Sequence, residues 1–533
     1  MQYWLSTSLK RFYPRSPAMN CPTLALEAAR SERLSFQALF RTDGEERTVS
    51  ATVNAPAGVE VLVRRVGYVP MPHLNTQVPP EEIEGLEYLP GYVPDPLLPE
   101  TVIHAGPYET HAFWITLRVD TDTSPGPREV HVTLSAEGAE PVTLSATLTV
   151  HPGVLPKRRD FPVTHWFYAD ALMDRYGVEP FEEAFWRILD PYLANVAAHG
   201  QDTIYVPVFT PPLDGVKRPT QLLHVRREGD RYVFDWTQVE RWIAAAKAQG
   251  LSRFEWTHLF TQWGVQHALR IYEGHGRDER LLWPADTGAT SDTYRAFLGQ
   301  FLPALERFLQ VNGLQERSFF HVSDEPHGEE HLANYRAARA LLRELAPWIR
   351  VMDALSDISF ARAGLTDTPI PSISTAPEFV REGFPAWAYW CCGPRGRYVN
   401  RLLETPLVKV RMSGWLFYRL RARGFLHWGY NYWYKSQTRQ MIDPYTVLDG
   451  MAWPSWAYGD CFQVYPGEAG PVDSLRWEVF AESLQDYALL QGVGLDPDDA
   501  LLFDIQDYAA FPREAAWIAR RRGELLARLD AAA

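Results

Sequence analysis

The residues best suited to chemistry lie in one short segment, HVSDEPH, at positions 321–327. Two adjacent carboxylic acids, Asp324 and Glu325, follow an apolar FF pair and precede the helical pattern GEEHLANYRAARALL. A helix start alone could explain these acids, because carboxylates are favourable at the positive end of the helix dipole. A metal site formed by the two acids with His321 and His327 is a second interpretation. It would require a sharp turn, because successive strand residues point to opposite sides.

A glycosidase site is a third interpretation. Most glycosidases use two carboxylates, roughly 5–5.5 Å apart if the enzyme retains configuration and roughly 6.5–9.5 Å apart if it inverts. These usually come from different strands, so Asp353 or Asp357 after the next predicted strand could supply the second group.

The adjacent pair also fits a narrower chemistry, in which the substrate supplies its own nucleophile. One acid would protonate the glycosidic oxygen. The other would hold the nitrogen of a 2-acetamido group while its carbonyl oxygen attacks the anomeric carbon. Pro326 should restrict Glu325 to an extended backbone and so stiffen the pair.

The elements around this segment alternate between strands and helices. From about residue 161, eight strand candidates, most of them followed by a helical pattern, extend over about 280 residues, which predicts a (β/α)₈ TIM-type barrel at 156–490. A C-terminal helical tail is predicted at 491–533. The two acids would follow the fourth strand, and barrels place their chemistry at the carboxyl ends of strands.

The first 155 residues show a different pattern. Short Val-, Thr- and aromatic-rich stretches, separated by Gly and Pro turns without a helical period, predict an N-terminal β-sandwich domain at 1–155. Many prolines fall between Pro70 and Pro107, which predicts a long ordered loop there. The fold class is therefore multidomain, all-β followed by α/β.

Aromatic and polar residues at the predicted strand ends resemble a sugar-binding rim. About half of the aromatic residues on the eighth strand should be core, since Trp428 and Tyr430 share one parity and Trp433 has the other. Trp428 is the first candidate for stacking on a sugar, whereas His258 and His427 are expected to be structural rather than catalytic. Cys391 and Cys392 are predicted to be buried and inert. The predicted substrate-binding residues are His258, Trp263, Tyr389, Trp390, Trp428, Tyr430 and Trp433.

The composition excludes several other classes of protein. A formal charge of −14 and a pI near 5.6 argue against nucleic acid or an anionic membrane as the main partner. No apolar run is long enough for a membrane span, and the N-terminus lacks the apolar stretch of a signal peptide, so a cytoplasmic location is expected. The four cysteines form neither a disulfide framework nor a CxxC metal pattern. We expect no metal and no cofactor.

Several segments resemble glycoside hydrolase family 123. They are LEAARSERLSFQALF, VRRVGYVP, GYVPDPLLP, FTQWGVQHA, HVSDEPHGE, GFLHWGYNYW and VYPGEAGPVDSLRWEVFAESLQDY, and they extend from about residue 25 to 490. The resemblance implies a β-sandwich before a (β/α)₈ barrel and a β-N-acetylgalactosaminidase that works by substrate assistance. It also implies that Asp324 orients the acetamido group, that Glu325 is the general acid/base, and that Asp460 could reach a sugar hydroxyl.

The predicted function is therefore a retaining exo-glycosidase that removes terminal β-linked N-acetylgalactosamine, or another N-acetylhexosamine, from a glycan or glycolipid. One alternative is a two-carboxylate glycosidase that acts on a sugar without the acetamide. Another is a catalytically dead barrel that only binds carbohydrate. The oligomeric state is not predicted.

Overall fold

The computed structural model describes residues 1–274 and 278–532. Its N-terminal region is rich in strands, as predicted. Two five-stranded sheets, in the orders β1-β3-β8-β5-β6 and β2-β10-β9-β4-β7, share one apolar core that includes Phe36, Phe113, Val132 and Leu148. The strands are β1 (Gln2–Thr7), β2 (Thr23–Arg30), β3 (Arg33–Arg41), β4 (Arg47–Asn54), β5 (Val59–Met71), β6 (Gly91–Leu98), β7 (Val102–Ala105), β8 (Thr110–Val119), β9 (Gly126–Ala136) and β10 (Val142–Val154).

The prediction of a long loop in the proline-rich segment is wrong. The stretch from Pro70 to Pro107, predicted as a loop, contains β6 and β7. β6 pairs with β5 at the edge of its sheet, where Pro94 and Pro96 are tolerated because an edge strand has one side without ladder partners.

The rest of the chain is mixed α/β. Its elements are β11 (Val163–His165), α1 (Ala169–Tyr176), α2 (Glu183–Ala198), β12 (Thr203–Val206), β13 (His224–Glu228), β14 (Arg231–Asp235), α3 (Thr237–Ala248), β15 (Arg253–Trp256), β16 (Tyr272–Glu273), β17 (Arg280–Leu281), α4 (Asp292–Val311), β18 (Ser318–Phe319), α5 (Gly328–Leu345), β19 (Met352–Ala354), α6 (Ile358–Arg362), β20 (Thr368–Ile370), α7 (Ala376–Arg381), β21 (Ala388–Tyr389), α8 (Leu407–Arg411), α9 (Ser413–Arg419), β22 (Phe425–His427), β23 (Val464–Pro466), β24 (Pro471–Asp473), α10 (Leu475–Gly492) and α11 (Ala515–Ala531).

Eight short strands of this region run parallel and near one another. β12, β15 and β18 form one ladder, β19 and β20 a second, and β21, β22 and β11 a third. Single parallel bridges, Phe320 to Val351 and Ser372 to Tyr389, connect these ladders. No backbone ladder joins β11 to β12 in the part of the chain that the structure describes, so no closed barrel is detected.

The helices that follow these strands are amphipathic and pack their apolar faces inward, as in α4, where Phe297, Phe301 and Leu305 are buried. In contrast, α10 is buried on nearly all sides. Within residues 1–274 and 278–532, no helix combines the length and apolar character needed to cross a bilayer.

Candidate functional site

A cavity of about 120 Å³ lies at the carboxyl ends of the parallel strands and contains both predicted acids. Asp324 and Glu325 follow β18, in the turn that leads to α5. The cavity also contains residues that follow β11, β12, β15, β21 and β22. Its lining is Trp166, Asp214, Gln262, Trp263, Asp324, Glu325, Ala354, Tyr389, Cys391, Cys392, Leu426, Trp428, Gln437, Trp456 and Asp460.

Asp324 is held by an amide side chain. Gln262 Nε2 donates to Asp324 Oδ2 at 2.8 Å, and Gln262 Oε1 accepts from the backbone N–H of Asp214 at 2.8 Å. Asp214 Oδ2 in turn accepts from the Tyr168 hydroxyl at 2.7 Å. Burial and the neighbouring charge of Glu325 raise the pKa of Asp324 well above its ordinary value. Gln262 therefore sets the direction of a carboxyl group whose pKa is raised.

Glu325 is held from a different side. The Tyr389 hydroxyl donates to Glu325 Oε1 at 2.7 Å, and the backbone N–H of Glu325 donates to the carbonyl of Ala354 at 2.9 Å. Burial raises the pKa of Glu325, while the hydrogen bond from Tyr389 acts in the opposite direction. Because each acid has its own hydrogen-bond donor, the two carboxyl groups are oriented independently.

The backbone at Glu325 corrects the prediction of an extended conformation. Its φ is +44°, in the left-handed region that is uncommon for a residue with a side chain. The hydrogen bonds to Ala354 and Tyr389 hold this conformation in spite of Pro326. Backbone strain of this kind costs on the order of 1–3 kcal/mol and is concentrated at functional sites.

A buried charge network lies behind the turn. His321 Nε2 lies 2.7 Å from Glu255 Oε1, and His321 Nδ1 lies 3.2 Å from Asp353 Oδ1. Burial disfavours the imidazolium, but the hydrogen bonds with Asp353 and Glu255 outweigh it and raise the pKa of His321 to about 9. Asp353 also accepts from the backbone N–H groups of Val322 and Ser323 at 3.2 and 3.3 Å. Asp353 therefore fixes the path of the chain immediately before Asp324.

Asp460 also lines the cavity and lies in the segment between β22 and β23. Trp428 Nε1 donates to Asp460 Oδ2 at 2.7 Å. The N–H of Gly429 donates to His427 Nδ1, so His427 Nε2 carries the proton and donates to Asp460 Oδ1 at 3.1 Å. Burial raises the pKa of Asp460 to about 7. Asp460 therefore lines the cavity with a fixed orientation.

The predicted binding residues divide into two groups. Trp263, Tyr389 and Trp428 line the cavity, and Trp263 is 38% exposed. The other four do not line it. They are His258, stacked on His321; Trp390, packed on Phe417 and Phe425; Tyr430, stacked on Phe167 and bonded to Asn195; and Trp433, whose Nε1 donates to Val464. All four side chains are buried, with at most 1% of their surface exposed, so the structure places them outside the lining of this cavity.

The two acids that were candidates for the second catalytic carboxylate also lie outside the cavity lining. Asp353 is fully buried in the network behind the turn, and Asp357 is exposed and caps the first turn of α6 through Ser359 N at 2.9 Å. In contrast, Cys391 and Cys392, predicted to be inert, are half-buried and line the cavity.

Sequence reasoning missed Asp214, Gln437 and Trp456. All three lie in loops, where no strand or helix periodicity predicts which way a side chain points. The Asp214-Gly215 pair is typical of a turn, and its position after the second predicted strand is the one signal that could have indicated the site.

A larger groove of about 1210 Å³ lies between the N-terminal sheet, α2 and the β23–β24 hairpin. It contains acids as well, but Asp473 already forms an ion pair with Arg64 at 2.5 Å. The smaller cavity is the better candidate for catalysis because its acids are buried, close together and have raised pKa values.

Comparison with known proteins identifies the family of the chain. The model of the glycoside hydrolase 123 catalytic domain matches residues 166–493, more than half of the chain. A family 123 glycoside hydrolase from Clostridium perfringens, described in a structural analysis of glycolipid glycan hydrolysis, has the same fold with a TM-score of 0.75. It is 14% identical, and the alignment covers 99% of this chain and 97% of that chain.

Other solved structures are less similar. A Bacteroides ovatus GH5 xyloglucanase aligns over 87% of this chain and 98% of its own, with 12% identity and a TM-score of 0.31. A search of curated proteins finds no match. The family model spans every strand-end residue of the cavity, and it includes the adjacent acids that the cavity encloses. This chain belongs to glycoside hydrolase family 123.

Proposed function

We propose that the protein is a retaining exo-β-N-acetylhexosaminidase that prefers terminal β-linked N-acetylgalactosamine and uses the 2-acetamido group of the substrate as the nucleophile. The observation that carries this proposal is the adjacent acid pair in one small cavity, with Gln262 holding Asp324 and Tyr389 holding Glu325. Family membership supports a glycosidase, and the small cavity suits a terminal sugar better than the interior of a chain.

In the first step, Glu325 donates its proton to the glycosidic oxygen as the bond to the anomeric carbon breaks. The acetamido carbonyl oxygen attacks the same carbon from the opposite face and forms a bicyclic intermediate. Asp324 accepts the amide N–H and stabilises the positive charge that develops on the acetamido group, by a charge-assisted hydrogen bond. In the second step, the Glu325 carboxylate takes a proton from water, which opens the intermediate with overall retention.

This assignment requires Glu325 to be protonated and Asp324 to be ionised when substrate is bound. Both acids have raised pKa values, and the charge of Glu325 disfavours ionisation of Asp324, so protonation of one acid favours ionisation of the other. An amide N–H that donates to Asp324 stabilises the ionised form of Asp324. Substrate binding therefore moves the proton toward Glu325, where the leaving oxygen needs it.

The remaining lining residues fit substrate recognition. The Trp428 and Trp456 rings lie 5.2 Å apart in an edge-to-face arrangement, and Trp428 is fixed by its bond to Asp460. We propose that Trp428 stacks on the apolar face of the sugar and that Asp460 accepts a hydrogen bond from a ring hydroxyl.

The proposal extends to architecture. We infer that the eight parallel strands form the (β/α)₈ barrel of a catalytic domain at 156–490, after a β-sandwich domain at 1–155 and before a helical tail at 491–533. Between β11 and β12, side chains replace the backbone ladder: Asp202 Oδ1 accepts from Val163 N at 2.8 Å, and Gln201 Oε1 accepts from His165 N at 3.1 Å.

A panel of aryl β-glycosides tests the proposed function. It contains N-acetylgalactosamine, N-acetylglucosamine, galactose and glucose as the sugar, with the same leaving group. We expect turnover of the two acetamido sugars, faster with N-acetylgalactosamine, and none of their 2-hydroxy counterparts. A thiazoline that mimics the bicyclic intermediate should bind far more tightly than substrate.

Two results would contradict this function. Turnover of the plain galactoside, or a covalent glycosyl adduct trapped on a carboxylate, would favour a two-carboxylate mechanism. Asp214 and Asp460 would then replace Asp353 and Asp357 as candidates for the second group, because they line the cavity.

A further inference from the structure

The wall of the cavity contains two thiols that the proposed reaction does not use. Cys391 and Cys392 both line the cavity, and their Sγ atoms lie 3.9 Å apart. They directly follow Trp390 and lie two and three residues after Tyr389, which holds Glu325. A chemical change at these sulfur atoms therefore takes place beside the proposed general acid.

Hydrogen bonds fix the backbone of this pair. Asn400 Nδ2 donates to the carbonyl of Cys391 at 3.0 Å, and the N–H of Cys391 donates to the carbonyl of Gly393 at 3.0 Å. Arg395 Nε donates to the carbonyl of Cys392, and its guanidinium also bonds to the carbonyl of Ser455 at 2.8 Å. The two thiols are thus held close together by a well-anchored turn.

The two sulfur atoms have unequal acidity. The hydrogen bond with Cys391 lowers the pKa of Cys392 and outweighs burial and the charge of Asp460, which raise it; the charge of Arg395 also lowers it. The same hydrogen bond and burial raise the pKa of Cys391. Cys392 therefore has the greater thiolate character, and the thiolate is the nucleophilic form of cysteine.

We propose that Cys391 and Cys392 form a reversible redox site in the wall of the cavity, with small organic disulfides as the oxidant. The Cys392 thiolate attacks one sulfur of the disulfide, displaces a thiolate and forms a mixed disulfide. The Cys391 thiol then loses its proton and attacks Cys392 Sγ, which releases the second small thiol. One organic disulfide and two protein thiols become two small thiols and one disulfide between the neighbouring cysteines.

Oxidation of this pair should stop hydrolysis, a consequence that rests on the proposed function. Closure brings the Sγ atoms from 3.9 Å to about 2.05 Å and distorts the peptide unit between them. The turn after Tyr389 must then move, which disturbs the hydrogen bond to Glu325. Strained disulfides are more easily reduced, so a dithiol should restore activity.

Peptide mapping by mass spectrometry tests the chemistry without reference to activity. The full-length protein, Cys391→Ser and Cys392→Ser are each incubated with bis(2-hydroxyethyl) disulfide, and Cys21→Ser serves as a control outside the cavity. In the wild type and the control, the peptide with both cysteines should lose two hydrogen atoms and retain no adduct. Cys391→Ser should retain one mercaptoethanol on Cys392, because the resolving thiol is missing. Cys392→Ser should remain unmodified at Cys391.

Other patterns overturn the proposal. An unmodified wild-type peptide, a retained adduct on it, or fast modification of Cys391 in Cys392→Ser would each contradict the assigned chemistry. Activity is then followed relative to each untreated variant: wild type and Cys21→Ser should lose at least about ten-fold, in step with disulfide formation, and recover with dithiothreitol. Complete oxidation with unchanged turnover would refute control of activity. A protein that turns over no glycoside would contradict the proposed function and leave the mapping result standing.

Discussion

At the scale of single residues, the site depends on two adjacent acids whose directions are set by different hydrogen-bond donors. Gln262 holds Asp324 and Tyr389 holds Glu325, so the acids reach different parts of one substrate. This arrangement predicts separate roles that substitutions can distinguish.

The roles can be separated by the leaving group. Glu325→Gln should abolish turnover of substrates with a basic leaving oxygen and spare activated aryl glycosides to some extent, because protonation matters most for a poor leaving group. Asp324→Asn keeps the shape but loses the charge, and should slow both substrate types by about 10²–10³-fold with a smaller change in KM. Steady-state kinetics with two leaving groups measures both. An equal loss for both leaving groups in Glu325→Gln would contradict its assignment as the acid.

Tyr389→Phe tests whether Glu325 is the group that donates the proton. The Tyr389 hydroxyl stabilises the ionised carboxylate, so its removal should raise the pKa of Glu325 further. A general acid is active below its pKa, and the alkaline limb of the kcat/KM profile should therefore move to higher pH. Tyr108→Phe, at a tyrosine that is 62% exposed in the N-terminal region, is the matched control. A limb that stays in place or moves to lower pH would show that Glu325 does not control it.

At the scale of elements, the turn from β18 to α5 determines where the acids lie. The turn is bonded to a carboxylate on the neighbouring strand: Asp353 accepts from two of its backbone N–H groups and from His321. Tyr335 on α5 donates to the same carboxylate. One side chain thus joins the strand before the acids, the helix after them and the strand beside them.

Asp353→Asn should loosen this turn. The substitution removes the negative charge that pairs with the buried His321. Because Asp353 fixes the turn before the acids, the acids should shift, and a shift of about 1 Å costs on the order of 10²-fold in rate. We expect a fall of that order in kcat for both leaving groups, together with a lower thermal midpoint. Asp357→Asn, four residues away at an exposed helix cap, is the control and should retain activity. If Asp357→Asn instead abolished turnover, Asp357 would be a catalytic carboxylate.

At the scale of the whole molecule, α10 joins the N-terminal region to the rest of the chain. Glu478 on α10 forms ion pairs with Arg33 and with Arg64, the latter at 2.6 Å, both on strands of the same N-terminal sheet. One turn further along α10, Glu482 accepts from Ser8 at 3.0 Å, and a second turn further, Asp486 is bonded to Arg411 at 2.6 Å. Helix α10 is buried on nearly all sides, and its acidic side chains are bonded both to the N-terminal region and to the rest of the chain.

Glu478→Gln should destabilise this junction by about 3–5 kcal/mol, because the buried Arg64 and the partly buried Arg33 lose their shared, fully buried partner. Burial opposes the charge, but Arg33 and Arg64 outweigh it and hold the pKa of Glu478 well below its ordinary value of 4.5. A lowered pKa contributes stability above pH 4.5 that is lost as the pH falls. The difference between wild type and variant in urea unfolding should therefore be full at pH 7 and shrink under acid conditions.

The control for this junction is Glu183→Gln, which removes an exposed ion pair with Arg241 and should leave the unfolding midpoint unchanged. A Glu478→Gln variant as stable as wild type at pH 7 would show that the ion pairs do not hold the two regions together.

The sequence by itself was sufficient for features that depend on local chemistry. Asp324 and Glu325 stand out because two adjacent acids interrupt a strand–turn–helix pattern, and the order of strands and helices follows from periodicity along the chain. The family resemblance, carried by several separate segments, was confirmed by the match over residues 166–493.

Tertiary structure alone decided the direction and environment of the other side chains. Trp390, Tyr430 and Trp433 occur at strand ends like Tyr389 and Trp428, but neighbouring helices and strands enclose them. Glu325 adopts a positive φ before a proline because Ala354 and Tyr389, distant in sequence, bond to it. Asp214, Trp456 and the two thiols reach the cavity from loops. Periodicity describes which residues share a face of one element, whereas a binding site is formed by contacts between elements.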